Sequence, residues 1–326
     1  MPQITRRALM AAGAAGLAAP ALGQGAFPTR TINVIVPFAA GGPTDTVTRL
    51  TAEAMGRDLG QTVVVENVGG AGGTLGAARV AQARPDGYTL LLHHIGMATT
   101  PTLYRRLPYD PVNGFETIGL VIEVPMTLVA KKDFPATSLA EAVTVIKREG
   151  DKLNYANAGI GAASHLCGLL LMKAVGTAMT TVPFRGTGPA IQELLSGRVD
   201  LMCDQTTNTT EQIKAGDIKV FNVTTAERVQ SLPNVPTSKE AGLPEFEVSV
   251  WHGLYAPKGT PAEVQQRLSR ALQAALRDEK LVSRFADLGT APVAQDRATP
   301  EAHRRFWQAD IAKWKPIIQA AGQFAD

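Results

Sequence analysis

The stretch "VPFAAGGPTD", Val36 to Asp45, closes an apolar run with two adjacent glycines and turns within a few residues into a helical pattern. Glycines at such a place bring backbone N–H groups close to a partner, and phosphate is the usual one. A P-loop needs a lysine and then a serine or threonine after its last glycine, to reach the outer phosphates and to hold magnesium. Here Gly42 is followed by Pro43, Thr44 and Asp45, and the Asp45 carboxylate repels a polyphosphate. A nucleotide is disfavoured, while a small carboxylate remains compatible with the partial positive charge of a helix N-terminus. Taken alone, the loop reads as a tight turn in which Gly41 and Gly42 supply positive φ and Pro43 starts the helix.

Other chemistry is thinly represented. "GAASHL" sets Ser164 beside His165, but adjacent residues cannot share a proton as a nucleophile and base must, and the stretch is no Gly-x-Ser-x-Gly elbow. "GGAGGTLG", Gly69 to Gly76, follows a strand without dinucleotide spacing, and reads as a turn into a helix. His93 and His94 are adjacent, so on a strand they point to opposite faces, and His165, His252 and His303 are scattered; no metal site is expected. Arg185 in "PFRGTGPA" is the one cation in a loop of this kind, placed to fork onto a carboxylate or else simply solvated. Cys167 and Cys203 read as two half-buried small hydrophobes, with a single bridge open to them in an oxidising compartment.

The elements that must position these residues alternate. "TINVIVPF", a helix from about Pro43 to Leu59, "TVVVEN", a helix near Leu75 to Ala83 and "YTLLLHH" read as βαβ units on a parallel sheet. "LNYAN", a helix from about Ser164 to Val175, "MTTVPF", a helix near Pro189 to Leu195, "VDLMCD" and "IKVFNVTT" repeat the rhythm. Two helix-free stretches, Glu116 to Lys132 and Phe246 to Pro257, are long enough to pass between two α/β lobes and return the chain to the first. The lobes are expected at 24–124 with 252–326, and at 125–251, with a cleft between them. The loops "PFAAGGPTD", "HHIGMATT", "GIGAASHL" and "PFRGTGPA" then meet at that cleft, because such sheets bind ligands beyond the carboxyl ends of their strands. The returning segment opens with Thr260-Pro261-Ala262-Glu263, a capping-box pattern, and Thr299-Pro300-Glu301 starts a last helix whose Phe306, Ile311, Trp314, Ile317 and Ile318 form a core face.

The 326 residues, 45% hydrophobic and 19% charged, suit two globular domains of about 150 residues. Residues 1–23 place Arg6 and Arg7 before the apolar run Ala8 to Ala19, with small residues at Ala21 and Gly23. This reads as a signal peptide, twin-arginine or ordinary, cleaved near Gly23 to release an exported, periplasmic protein. Loss of the leader takes Arg6, Arg7 and no acid, lowering the formal charge from +3 to +1, which leaves no electrostatic basis for nucleic-acid binding.

Read in order, "IVPFAAGGPTD", "VVVENVGGAGGTLGAARVAQARPDGYTLL", "LYRRLPYDPVNGF", "LNYANAGIGAASHL", "VPFRGTGPAIQELLSGRVDLMCD", "LPNVPTSKEAGLPEFE", "WHGLYAPKGTP" and "KWKPIIQAAG" resemble the Bug family. These TctC-like proteins are the periplasmic solute-binding components of tripartite tricarboxylate transporters. The resemblance spans nearly the whole mature chain. It implies a bilobal, type II periplasmic-binding-protein (venus-flytrap) α/β fold that clamps a small carboxylated organic acid without cofactor or metal. It also implies a monomer that delivers its ligand to membrane permease subunits, or alternatively to a sensor receptor, and that is not an enzyme. Carried over by position, first-lobe contacts fall on Phe38, Ala39, Ala40, Gly42, Thr44 and Asp45. Second-lobe contacts fall on Gly161, Ala162, Ala163, Ser164 and His165, with Arg185, Gly186, Thr187 and Asp204 nearby. The chain departs from the pattern at Ala162, where relatives carry a hydroxyl residue, at Arg185, where lysine is common, and at Cys203, where an aromatic is usual. His93 and His94 replace small polar residues and are expected either to narrow the pocket or to pack at the strand end.

Overall fold

The computed structural model describes residues 27–322 together with Phe324 and Ala325; the expected leader lies outside them. Strands β1 (Ile32–Val36), β2 (Val63–Asn67) and β3 (Thr89–His94) run parallel, linked by α1 (Pro43–Leu59) and α2 (Thr74–Ala81), and α3 (Gly96–Leu103) follows. After β4 (Phe115–Lys131) come α4 (Leu139–Glu149), β5 (Asn154–Asn157), α5 (Ala163–Val175), β6 (Thr180–Pro183) and α6 (Thr187–Leu195). Next are β7 (Leu201–Gln205), α7 (Thr206–Ala215), β8 (Ile218–Val223) and β9 (Ser249–Pro257). The chain ends with α8 (Ala262–Ala275), α9 (Glu279–Asp287), β10 (Ala291–Pro292) and α10 (Pro300–Ala321).

The strand order is β2-β1-β3-β9-β4-β7-β5-β6, with β8 and β10 also on β4. β4 therefore belongs to two halves of the molecule. From Phe115 to Pro125 it pairs antiparallel with β9, and from Met126 onward it lies between β7 and β8. Its sequence is apolar almost without alternation, as a strand covered on both faces requires. Pro125 stands where the partners change, and having no N–H it leaves no ladder donor unpaired there. One residue on, Thr224 N donates to Met126 O (2.9 Å) and Met126 N to Thr224 Oγ1 (3.2 Å). Val248 N in turn donates to Thr224 O (2.9 Å), so Phe246 to Val248 stay with the second half and Ser249, opposite Pro125, begins the first. The fold is bilobal, with two adjacent extended crossings.

Several expectations are corrected. The capping box at Thr260 does not form: Thr260 Oγ1 donates to Pro257 O (2.8 Å), and Pro261 precedes the first helical residue. Thr299 does cap α10, accepting from Ala302 N (3.2 Å). On that helix Trp314 and Ile318 are buried and Phe306, Ile311 and Ile317 partly so, but the fully buried tryptophan is Trp307, whose Nε1 donates to Met97 O (2.9 Å). Cys167 and Cys203 are not two separate hydrophobes: both are fully buried and joined by a disulfide, with Cα atoms 6.0 Å apart.

Candidate functional site

The loop after β1 is set by an internal brace. Asp45 Oδ2 accepts from Gly41 N (3.0 Å) and Arg49 Nε (3.0 Å), while Oδ1 accepts from Asn67 Nδ2 (3.0 Å), which also donates to Phe38 O (3.1 Å). Burial alone would raise the Asp45 pKa, but these donors outweigh it and hold the carboxyl below its usual range. Gly41 takes positive φ (80°) as expected, whereas Gly42 is extended (φ −93°). Gly42 is small for another reason: a Cβ there would lie 3.3 Å from Gly188 N across the cleft.

The two lobes meet directly. Ala39 N donates to Arg185 O (3.0 Å), Thr99 Oγ1 to Gly161 O (3.2 Å), and the Tyr104 hydroxyl lies 3.0 Å from Ile160 O. Between them Phe38, Gly42, Pro43, Thr44 and His94 face Ala158, Ala163, Ser164, Thr187, Asp204 and Gln205 around a cavity of about 10 Å³, the volume one water centre needs.

Four helices begin at this cavity, α1 at Pro43, α5 at Ala163, α6 at Thr187 and α7 directly after Gln205, and none has a side-chain N-cap. Of the helices that do not open on the cavity, α4, α9 and α10 are capped by Ser138, Asp278 and Thr299, whereas α2, α3 and α8 have no side-chain cap. The positive ends of four helices without side-chain caps thus meet around one space that no lysine or arginine lines.

The histidines differ from expectation. His93 and His94 do not face opposite ways; their rings are 4.8 Å apart, and His94 stacks on Phe38 at 4.7 Å. The strand ends there, so the alternation lapses as the chain turns into α3. His94 N donates to His93 Nδ1 (2.7 Å) and Gly96 N to His94 Nδ1 (3.0 Å), arrangements that need a neutral ring. Burial lowers the His94 pKa to about 3 and that of His165, which accepts from Gly161 N (3.3 Å), to about 4. Thr44 Oγ1 lies 3.3 Å from His252 Nε2.

Of the residues singled out in the sequence, Phe38, Gly42, Thr44, His94, Ala163, Ser164, Thr187 and Asp204 line the cavity. Ala39, Ala40, Gly161, Ala162 and Gly186 stand in the adjoining loops, His165 lies in the first turn of α5 and accepts from Gly161 N, and Asp45 serves as the brace. Arg185 offers the cleft its carbonyl, and its side chain is exposed, outside the cavity wall. Pro43, Ala158 and Gln205 were not foreseen; Gln205 directly follows Asp204 at the end of β7, and that adjacency was the only signal for it. Asp204 is fully buried, and burial pushes its pKa up to about 6 despite hydrogen bonds from Asn208, Gln205 N and Thr187. Among the described residues no group of three or more His, Cys, Asp or Glu is placed to hold a metal ion, and no helix is long and apolar enough to cross a membrane.

Residues 47–323 match the family model described as tripartite tricarboxylate transporter family receptor. The chain belongs to this receptor family. A UPF0065 protein from the TAR-I ttuE-ttuC' intergenic region of Agrobacterium vitis is 51% identical over 92% of this chain and 87% of its own. Among solved structures, the periplasmic binding protein BugD is 49% identical, with TM-score 0.90 over 92% of this chain and all of that one. MatC from Rhodopseudomonas palustris, solved with bound malate, is 42% identical, with TM-score 0.87 over 90% of this chain and all of that one. The receptor family and these structural relatives are solute-binding proteins, and the two-lobed α/β architecture is common to them.

Proposed function

We propose that this receptor captures a small carboxylated organic acid in its interlobe cleft, in the periplasm, and hands it to the membrane subunits of a tripartite tricarboxylate-type transporter without transforming it. The observation that carries this reading is the convergence of four uncapped helix N-termini on one closed cavity, an anion site made of backbone rather than of cationic side chains. Transfer chemistry has no support there, since Ser164 Oγ is engaged as acceptor from Ala158 N (2.9 Å) and His165 Nδ1 from Gly161 N. The malate held by MatC is consistent with a ligand of this class.

In this account 24–124 with 252–326 form the first lobe and 125–251 the second, the chain is a monomer, and a leader is removed near Gly23. Phe38, Gly42, Thr44, His94, Ala163, Ser164, Thr187 and Asp204 touch the ligand, while Ala39, Ala40, Asp45, Gly161, Ala162, His165, Arg185 and Gly186 hold the loops that do. The test is a thermal-shift screen of mono-, di- and tricarboxylates, followed by calorimetry and by native mass spectrometry of freshly purified protein. At least one acid should raise the melting temperature progressively above its dissociation constant. No shift with any acid, and no co-purified acid, would contradict the proposal.

A further inference from the structure

We infer that the cleft selects an acid bearing a hydrogen-bond donor, a hydroxyl or an ammonium group, besides its carboxylate, and that Asp204 and Gln205 recognise that donor. This rests on the ligand-capture reading above. Both side chains line the cavity at the end of β7 and are buried, at 1% and 2% exposure. An ionised carboxylate is an acceptor only, with about four lone-pair sites. Asn208 Nδ2, the Thr187 hydroxyl and Gln205 N–H occupy three of those on Asp204. Gln205 Oε1 is buried with no hydrogen-bond partner among the described residues. Two adjacent acceptor residues thus line the same space as the helix N-termini, which supply donors. His94, whose Nδ1 accepts from Gly96 N, carries its proton on Nε2 and adds one more donor to the lining. The cavity is polarised, with donors suited to a carboxylate and an acceptor pair suited to something else. A second carboxylate against that pair would leave buried acceptors facing acceptors, whereas a hydroxyl or ammonium satisfies them.

Succinate, L-malate and L-aspartate share a four-carbon dicarboxylate skeleton and differ at C2 by hydrogen, hydroxyl and ammonium. Glutarate, L-2-hydroxyglutarate and L-glutamate repeat the comparison one carbon longer. Calorimetry of the mature protein at pH 7.5 should find, in at least one series, a donor-bearing acid bound at least about tenfold tighter than its plain counterpart. Asp204→Asn and Gln205→Leu should each bring that ratio to within about threefold, Gln205→Leu guarding against a folding defect in the first variant. Plain diacids bound as tightly as their counterparts, or a ratio that survives both substitutions, would overturn the inference while leaving carboxylate capture intact. Failure of all six to bind would overturn it too, and the thermal-shift screen of other acids then decides whether capture itself stands.

Discussion

All five histidines of the chain are buried, and their surroundings keep the rings neutral. Burial lowers the pKa of His94 and His303 to about 3 and of His165 to about 4; His93 and His252 are lowered as well. An unfolded chain takes up protons on these rings below pH about 6.5, so the stability they confer is complete above that pH and is lost as the pH falls toward the folded values. Asp204 works the other way: its pKa is raised to about 6, so its contribution is present below the unfolded value and lost as the pH rises through 6. The five rings oppose Asp204 and Asp310, whose carboxyl burial also raises, at up to about 1.4 kcal/mol per pH unit each. Urea denaturation should therefore give a lower midpoint at pH 5 than at pH 7.5, with a stability loss of several kcal/mol. An unchanged midpoint would show that the rings are charged or exposed. The exposed Arg185 guanidinium leads to a second expectation: Arg185→Ala should change ligand affinity by no more than about twofold in calorimetry, the range of a solvated charge. A tenfold loss would place the guanidinium on the ligand. Residue types alone marked the glycine loop and disfavoured a nucleotide, but the duty of Asp45 depends on Asn67, 22 positions along the chain and on another strand. No local pattern encodes that distance.

At the scale of elements, the cleft is held by ties between pieces that each contribute part of its wall. The disulfide joins α5, whose first turn brings Ala163 and Ser164, to β7, which brings Asp204 and Gln205. Tyr155 reinforces the tie, donating to Ser164 O (2.8 Å) and accepting from Cys203 N (3.1 Å). Replacing both cysteines by alanine should cost about 2–5 kcal/mol in denaturant unfolding and weaken ligand binding. A variant as stable and as tight as the parent would make the bridge incidental. The closed contact between lobes is also an element-level device. Gly72, at φ 61°, packs so closely on Ile160 of the facing loop that a Cβ would strike its carbonyl, whereas Gly216, at φ 71°, faces open space. Both Gly→Ala changes carry the same left-handed strain of about 1–2 kcal/mol. Gly72→Ala should lower ligand affinity at least tenfold and Gly216→Ala should not; equal affinities would mean that closure does not depend on this contact. The alternation of strands and helices, and both crossings, were legible from hydrophobic runs bounded by glycine and proline. The disulfide was not, because 36 residues separate the cysteines and only the packing of α5 against β7 brings their Cα atoms within bridging range. The failed cap at Thr260 has a similar cause: its hydroxyl finds the carbonyl of Pro257 at the end of β9, a partner the local pattern does not anticipate.

For the whole molecule, the shared strand β4 and its neighbour β9 make a two-strand connection at Pro125 and Ser249, the kind of connection that hinge closure uses. In the closed arrangement the cavity, at about 10 Å³, is far smaller than any dicarboxylate. Ligand entry therefore requires the lobes to part, and a bound acid must prop them slightly wider than they stand here while drawing the open population shut. The extent of that shift is limited by the difference in affinity between the two states. The measurement that tests this most directly is small-angle X-ray scattering of the mature protein, without ligand and with an acid whose saturation calorimetry has established. The radius of gyration should be larger without ligand than the closed structure gives, and should fall toward that value at saturation. An identical scattering profile in the two conditions would mean a rigid cleft and would contradict capture by closure.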